Sequence, residues 1–309
     1  MKQIKFLHND QINHIKWDNC IQNSINKKVY ACSWYLNIVS NNWAGLVYGD
    51  YELIFPIVFK KLFFFKRIYH PLFCQQLGPY SGDQKLLHNQ DIVLDIINFL
   101  DDRYRKFECS INHFCTNMFL KTISKNKYNM SNFVRINLEL DLNASYEDIV
   151  SNYSTNHRRT LNINFNDLKW DIMASGHFRQ DYIADFLDLY QKHVGNKAGL
   201  KSNDYSIINK IISECGQKHI GCFVGLRNNK NKLLGSAFFI SCFNRSILLF
   251  NVSDKMLNFN LMTFIVDKYI KKHVHKNHIL DFEGSNIQGV KRFYKGFGAI
   301  EKNYMHILK

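Results

Sequence analysis

A single series of secondary-structure elements, spelled out twice along the chain, constrains the fold more than any other feature. In the first half, an amphipathic helical stretch and a second helical stretch at 31–39 lead into two strand-like runs, AGLVYGD (44–50) and YELIFPIVFK (51–60). These runs turn through Gly49 and Asp50, residue types that suit a hairpin. Ile92, Val93, Ile96, Ile97, Leu100 and Tyr104 recur at helical spacing and predict a helix over 90–107. A strand at 108–114, a turn-rich stretch and a strand at 133–140 close the half. The second half repeats the order: helices at 180–194 and 203–216, strands at 221–226, 232–243 and 245–253, a helix at 259–274, a strand at 278–284, a short helix at 287–298 and a final strand. The runs at 44–57 and 222–240 correspond, as do the helix–strand pairs 90–114 and 259–284. Any alternating α/β chain repeats itself to some degree, and identity between the halves is slight, so order and length carry the reading. They predict an α/β fold with α+β mixed sheets and two domains, 1–150 and 151–309, related by duplication. The boundary falls in the polar, turn-rich stretch 141–155, and the final strand is free to pair with the first domain.

The length agrees with this division, since 309 residues suit two domains of about 150 each. A content of 46% apolar and 15% aromatic residues excludes disordered and fibrous classes and supplies two cores. Every apolar run stops well short of the roughly 20 residues that a membrane span needs. The run at 53–68 comes nearest and is broken by Pro56, Lys60 and Lys61. With no apolar stretch of signal-peptide length at the N-terminus, the expected location is cytoplasmic, with no integral membrane association. Eight cysteines without a C-x-x-C pair, most of them inside apolar patterns, read as buried small hydrophobes, and no metal site is expected. The formal charge of +14 suits a polyanionic partner, although the Asn-, Lys- and Ile-rich composition could produce the same excess.

Motifs for the commoner chemistries are missing: there is no G-x-S-x-G, H-E-x-x-H, G-x-x-x-x-G-K-[ST] or strand-borne G-x-G-x-x-G. The informative stretch is DFEGSNIQGVKRFYKGFGA (281–299), in which a strand turns sharply into a helix that ends at Phe297-Gly298. Gly284 permits the tight turn and Gly298 a left-handed cap, while Phe293 and Phe297 share one helical face. Gln288, Lys291, Arg292 and Lys295 occupy the other faces.

This stretch resembles the closing motif of FemABX-type (FemAB-related) transferases of the GNAT acyltransferase superfamily, a strand bearing D-F-x-G followed by a helix G-x-x-x-F-K-x-x-F-G. Two tandem GNAT-like acyltransferase domains are that family's architecture, so the resemblance spans the chain. The pattern YACSWYLNIV...WAGLVYGDYELIFPI...PLFCQQLG in the first half is similar to the same group. The resemblance implies an acyl- or aminoacyltransferase that moves an acyl group onto an amine of a small-molecule or cell-wall-precursor acceptor held in a groove between the domains. It implies no tightly bound cofactor. The donor is either aminoacyl-tRNA or acetyl-CoA. At the family's lysine position this chain has Tyr294, which departs from the motif. A basic residue four before a tyrosine, used by the family for substrate phosphates, is matched by Lys201 and Tyr205. The glycine-rich pyrophosphate cradle of CoA-dependent enzymes is absent from 251–262 and partial in QQLGPY (75–80), which keeps Gln75 and Gly78.

The resemblance names Asp281, Glu283 and Tyr294 as candidate catalytic residues, with ion pairing to Lys or Arg as the alternative role for the two carboxylates. It names Gln75, Gln76, Lys201, Tyr205, Asn251, Ser253, Gln288, Lys291 and Arg292 as candidate substrate contacts. The His157–Arg159 run is a candidate phosphate contact or a solvated helix start. Two other functions remain open: an acetyl-CoA-dependent N-acetyltransferase, and a catalytically inactive binding module on the same scaffold.

Overall fold

A computed structural model describes residues 3–309 except 63–64, 126–127, 165–166, 175, 177, 255–259 and 285. The chain divides into two compact units, residues 1–136 with 302–309, and residues 137–301.

In the first unit the opening segment is not wholly helical. Strand β1 (Ile4–His8) precedes helix α1 (His14–Asn23), where the Asn13 side chain caps the Lys16 amide. After α2 (Ser33–Val39), an antiparallel meander continues β1 through β2 (Trp43–Tyr48), β3 (Leu53–Leu62) and β4 (Phe65–Ile68), with the short β5 (Tyr80–Ser81) also on β3. A helical turn, α3 (Gln84–Leu87), then leads to α4 (Gln90–Arg103). The Asn89 side chain accepts hydrogen bonds from the Asp91 and Ile92 amides and starts α4, whose Ile92, Val93, Ile96, Ile97 and Leu100 are buried in one cluster with Phe55, Ile57 and Phe119. The turn-rich stretch expected after β6 (Glu108–Ile111) is instead helix α5 (Thr116–Lys125), followed by β7 (Ser131–Asp141). The C-terminal residues return to this unit: Met305–Leu308 pair antiparallel with β6.

The second unit opens with two short helices where a linker was expected, α6 (Tyr146–Ser151) and α7 (Thr155–Leu161), each started by a serine cap, Ser145 and Ser154. Strand β8 (Leu168–Ala174), not anticipated from the sequence, is followed by α8 (Gln180–Tyr190), a wide helical turn over residues 191–195, the brief α9 (Asn196–Ala198) and α10 (Ser202–Gln217). Then come β9 (Gly221–Asn228), β10 (Leu233–Cys242), β11 (Arg245–Ser253), α11 (Leu261–His273), β12 (Ile279–Asp281), α12 (Gln288–Lys295) and β13 (Ile300–Leu308). Strands β8 to β11 form an antiparallel meander; β12 runs parallel to β11 and antiparallel to the end of β7. The core is aromatic, with Phe178, Tyr182, Phe186 and Phe238 packed around Phe223 at ring separations of 4.7–5.2 Å for the pairs made by Phe223 itself.

Each half of the chain therefore has a strand, two helical segments, a meander, a helix, a strand, a helix and a closing strand, although the closing strand of the second half pairs within the first unit. This is the tandem GNAT-like arrangement, in which β1–α1–α2–β2–β3 matches β8–α8–α10–β9–β10, and α4–β6–α5–β7 matches α11–β12–α12–β13. Among the described residues no helix is long and apolar enough to cross a membrane. Seven cysteines are buried and Cys242 partly so; burial pushes the Cys20 and Cys222 thiols up to about 11, making them poor nucleophiles at neutral pH.

Half-buried imidazoles tie stability to pH. His70 lies with Nε2 2.6 Å from the Cys74 carbonyl, while its Nδ1 accepts from the Ser110 amide at 3.4 Å. Burial lowers its pKa to about 4, and burial also lowers that of His278, whose Nε2 is 2.6 Å from Ser246 Oγ, to about 4. Both rings are neutral when folded and take a proton near pH 6.5 when unfolded, so their contribution is fully present above about 6.5 and is lost as pH falls toward 4. The melting temperature is expected to be flat above pH 7 and to drop between pH 6.5 and 4, less steeply in a His70→Gln, His278→Gln variant. A wild-type melting temperature unchanged down to pH 4 would refute this linkage.

Candidate functional site

The second unit opens its own sheet at β11. Ile247 and Asp281 form the last register pair between β11 and β12, yet β11 continues to Ser253 along β10. A bulge between Phe238 and Phe239 shifts the β10–β11 register, leaving Leu249 without a partner on β10. Peptide groups alternate in direction along a strand, so beyond Ile247 some β11 amides face a side that β12 has left. Half-buried Asn251 and Ser253 lie on this stretch.

Helix α12 supplies the opposing group. Just past its end, Phe297 packs edge-on against Tyr153 at 5.2 Å, and Tyr294 of the helix stacks on Phe282 at 4.8 Å. Tyr294 is thereby held with its hydroxyl accepting a hydrogen bond from Asn251 Nδ2 at 3.1 Å. Burial, partly countered by the Asn251 hydrogen bond and reinforced by the Glu283 charge, pushes the Tyr294 phenol up to about 12. It is a hydrogen-bond and proton donor at neutral pH and not a base.

Glu283 and Gly284 form the turn after β12, both left-handed, with φ of 60° and 71°. Left-handed backbone is unusual for a glutamate; the Glu283 amide donates to Asp281 Oδ1 at 2.9 Å, which fixes the turn. The Glu283 charge also helps burial raise the phenol of Tyr190, at the end of α8, as do the neighbouring Tyr205 and Tyr294. Tyr190 in turn packs against Phe250 of β11 at 5.9 Å. One neighbourhood thus holds Glu283, Tyr190, Tyr205, Asn251 and Tyr294.

Tyr205 enters it through the wide turn. Residues 191–195 have π-helical hydrogen bonding, which often marks functional sites, and Gly195 leaves the room that the Tyr205 hydroxyl occupies: a Cβ there would fall 1.8 Å from the oxygen. That hydroxyl is buried with no hydrogen-bond partner among the described residues. Replacing Gly195 by alanine is expected to destabilise the protein by about 1–3 kcal/mol through overcrowding, against the usual gain for alanine in helical backbone. Urea unfolding measures it, and an unchanged midpoint would remove Tyr205 from its assigned place.

The remaining expected residues fall elsewhere. Asp281 is corrected from a candidate base to a structural ion: it is fully buried, and Arg245 Nη1 lies 2.6 Å from its Oδ2 and 2.7 Å from Glu139 Oε1. Gln76 is corrected likewise; it is fully buried in the first unit, donating to Gln75 Oε1 at 2.6 Å and accepting from the His113 amide at 3.0 Å. Gln75 is half-buried and engaged by that bond. The partial cradle at 75–80 serves packing, since a Cβ on Gly78 would meet Pro56 Cδ at 2.9 Å and Tyr80 is buried. Lys201 is exposed at the start of α10, with its amide held by the Asp204 carboxylate at 2.8 Å. Lys291 pairs with Glu301 at 2.9 Å, while Gln288 and Arg292 are exposed on α12. His157 is buried against Phe293 and Phe297, so it is core and not a phosphate contact; Arg158 donates to the Ser151 carbonyl at 3.0 Å and Arg159 to Asn156 at 3.4 Å. Residues 255–259 of the glycine-free stretch 251–262 lie outside the described residues, as does Ser285 in the turn. Tyr190 and Gly195 join this neighbourhood without being named from the sequence, where their signal is a helical pattern in 180–194 that meets a glycine before any cap.

The chain has the tandem GNAT-like fold, with a splayed central strand in its second unit. No family model and no curated protein matches the chain. Among solved structures it is similar to FemX, with a TM-score of 0.65 and 10% identity over 97% of this chain and 96% of that one. It is also similar to a conserved protein of unknown function from Bacteroides thetaiotaomicron VPI-5482, with a TM-score of 0.62 and 12% identity over 100% and 99% of the two chains. A tandem GNAT protein from the clavulanic acid biosynthesis pathway superposes with a TM-score of 0.56 and 8% identity, covering 99% and 98%.

Proposed function

We propose that the protein is an acyltransferase that moves an aminoacyl group from an ester donor, charged tRNA, onto the amine of a small-molecule or cell-wall-precursor acceptor. The observation carrying this reading is the splayed edge of β11 with Tyr294 hydrogen-bonded to Asn251 beside it. The acyl carbonyl lies against the freed β11 amides, which stabilise the oxyanion. Glu283 takes a proton from the acceptor ammonium, and the neutral amine attacks. The new N–C bond forms, the donor's C–O bond breaks, Tyr294 gives its proton to the departing oxygen, and the nitrogen releases its remaining surplus proton to solvent. Proton exchange with solvent then restores both groups. Positioning supplies much of the remaining rate.

The aminoacyl donor is preferred to acetyl-CoA because the start of α11 is not arranged as a pyrophosphate cradle. No glycine occurs in 251–262, and the Asn260 side chain already accepts the Met262 amide at 3.1 Å, one of the donors such a cradle would need. The +14 charge suits an RNA donor, and the reading places the reaction in the cytoplasm. The test is to incubate the protein with radiolabelled aminoacyl-tRNAs or with acetyl-CoA, and nucleotide-linked peptide precursors as acceptors. Amide product from the first donor supports the proposal. Product only from acetyl-CoA replaces it with N-acetyl transfer, and no product from either leaves a binding module.

A further inference from the structure

The first unit contains a cavity of about 920 Å³ that no part of the proposed reaction uses, lined by Phe6, His8, Lys66, Arg67, Arg103, Tyr104, Arg105 and Lys106. Five of these residues are cations and none is a carboxylate. They come from three places: β4 gives Lys66 and Arg67, the last turn of α4 gives Arg103, and the segment after it gives Arg105 and Lys106. All five are exposed, and none forms an ion pair with a described residue. A helix C-terminus favours nearby cations, which accounts for Arg103, but it does not explain the two on β4.

The β3–β4 hairpin adds a second observation. Its register sets Lys60 opposite Arg67, a like-charge pair where such a pair destabilises a ladder. Aromatic rings shelter some of these charges: Lys60 Nζ lies 4.3 Å from the Tyr69 ring centre, Lys66 Nζ 5.0 Å from that of Phe59, and the Arg103 guanidinium 4.6 Å from that of Phe99. Among the described residues, Arg67, Arg105 and Lys106 have no such contact. The cavity size lies within the range of small-ligand sites, and an extended polymer would need a basic track that continues beyond it.

We infer that this cavity binds a compact oligophosphate, a small molecule with several linked phosphates, against the cations of β4 and the end of α4. Arginine forks and lysine ammonium groups provide charge-assisted hydrogen bonds to phosphate oxygens. Phe6, His8 and Tyr104 offer ring surface if the phosphates belong to a nucleotide. The site consists wholly of first-unit residues and does not rest on the transferase reading.

The test is calorimetric titration of the full chain with inorganic tripolyphosphate and, separately, with ATP. The wild type is compared with Arg67→Gln, Arg105→Gln, and with a control, Lys272→Gln, Lys276→Gln, that removes two cations from the other unit. Thermal melting checks that both variants fold. One-to-one binding is expected, weakened at least tenfold in the first variant and unchanged in the control. Tighter binding of ATP than of tripolyphosphate assigns a nucleotide source; equal affinity assigns the phosphates alone, and both support the site. Absence of binding, equal losses in both variants, or a preference for a 20-nucleotide single-stranded RNA that survives the Arg67/Arg105 change would overturn it.

Discussion

Replacement of Arg245 by methionine is expected to cost about 3–5 kcal/mol of stability, the usual penalty for leaving a buried charge without its partner. Arg245 Nη1 serves Glu139 and Asp281 together, and the three side chains are 12%, 6% and 0% exposed. Burial alone would lower the Arg245 pKa; the Asp281 and Glu139 charges override it and raise it. Asp281 and Glu139 are direct register partners across β12 and β7, so removing the cation leaves two carboxylates face to face in the sheet interior. Acid neutralises carboxylates, so a penalty that comes from their uncompensated charge is largest near neutral pH and fades as pH falls. Urea unfolding at pH 7 and pH 4 therefore distinguishes the cause. A triple variant, Arg245→Met, Glu139→Gln, Asp281→Asn, is expected to recover much of the loss, because amides in those places carry no charge to compensate. A loss at pH 7 below 1 kcal/mol, or one that persists undiminished at pH 4, would show that the triad is not holding β12 in place.

Asp281 also shows why the site was only partly legible. Sequence distinguishes a carboxylate at a strand end, but whether it acts as a base or an ion-pair partner depends on Arg245, 36 positions earlier, and on Glu139. No local pattern carries that information. Glu283 and Tyr294 stand out in the sequence because both sit inside a stretch whose glycines and phenylalanines dictate a turn and a helix. Tyr190 and Tyr205 come together through the π-helical turn at 191–195, a geometry with no sequence signature beyond one glycine. The same distinction runs through the fold. The strands at 44–60 and 221–253 and the helices α4 and α11 were visible because their apolar residues repeat over long runs. Helices α6 and α7 were hidden in a polar stretch because each has only a turn or two and buries few residues: Ile149 in one, His157 and Thr160 in the other. Strand β8 is the end strand of its meander with no fully buried position, so its alternation is weak. Helix α5, with Thr, Asn and Ser among its ten residues, depends on tertiary burial of Phe119 and Ile123 more than on intrinsic propensity.

Tyr294→Phe is expected to lower the turnover number for amide formation by about 10²–10⁴-fold, the range that a positioned proton donor contributes. The fold is expected to survive, because phenylalanine keeps the stack on Phe282 and the change removes one hydrogen bond, worth about 0.5–1.5 kcal/mol. Since the phenol is pushed up to about 12, the group is protonated throughout the neutral range, and loss of activity above pH 9 in the wild type would belong to another residue. The proposed role predicts dependence on the leaving group. A donor whose departing oxygen or sulfur is strongly basic needs the proton and suffers the full loss, whereas an activated ester that leaves as a stable anion is nearly insensitive. Steady-state kinetics with an alkyl ester and an activated aryl ester of the same acyl group measure this directly, with KM expected to stay within a few-fold for both. Equal losses on the two donors would reduce Tyr294 to a group that orients Asn251 and the open edge of β11, and proton delivery to the leaving group would have to come from elsewhere.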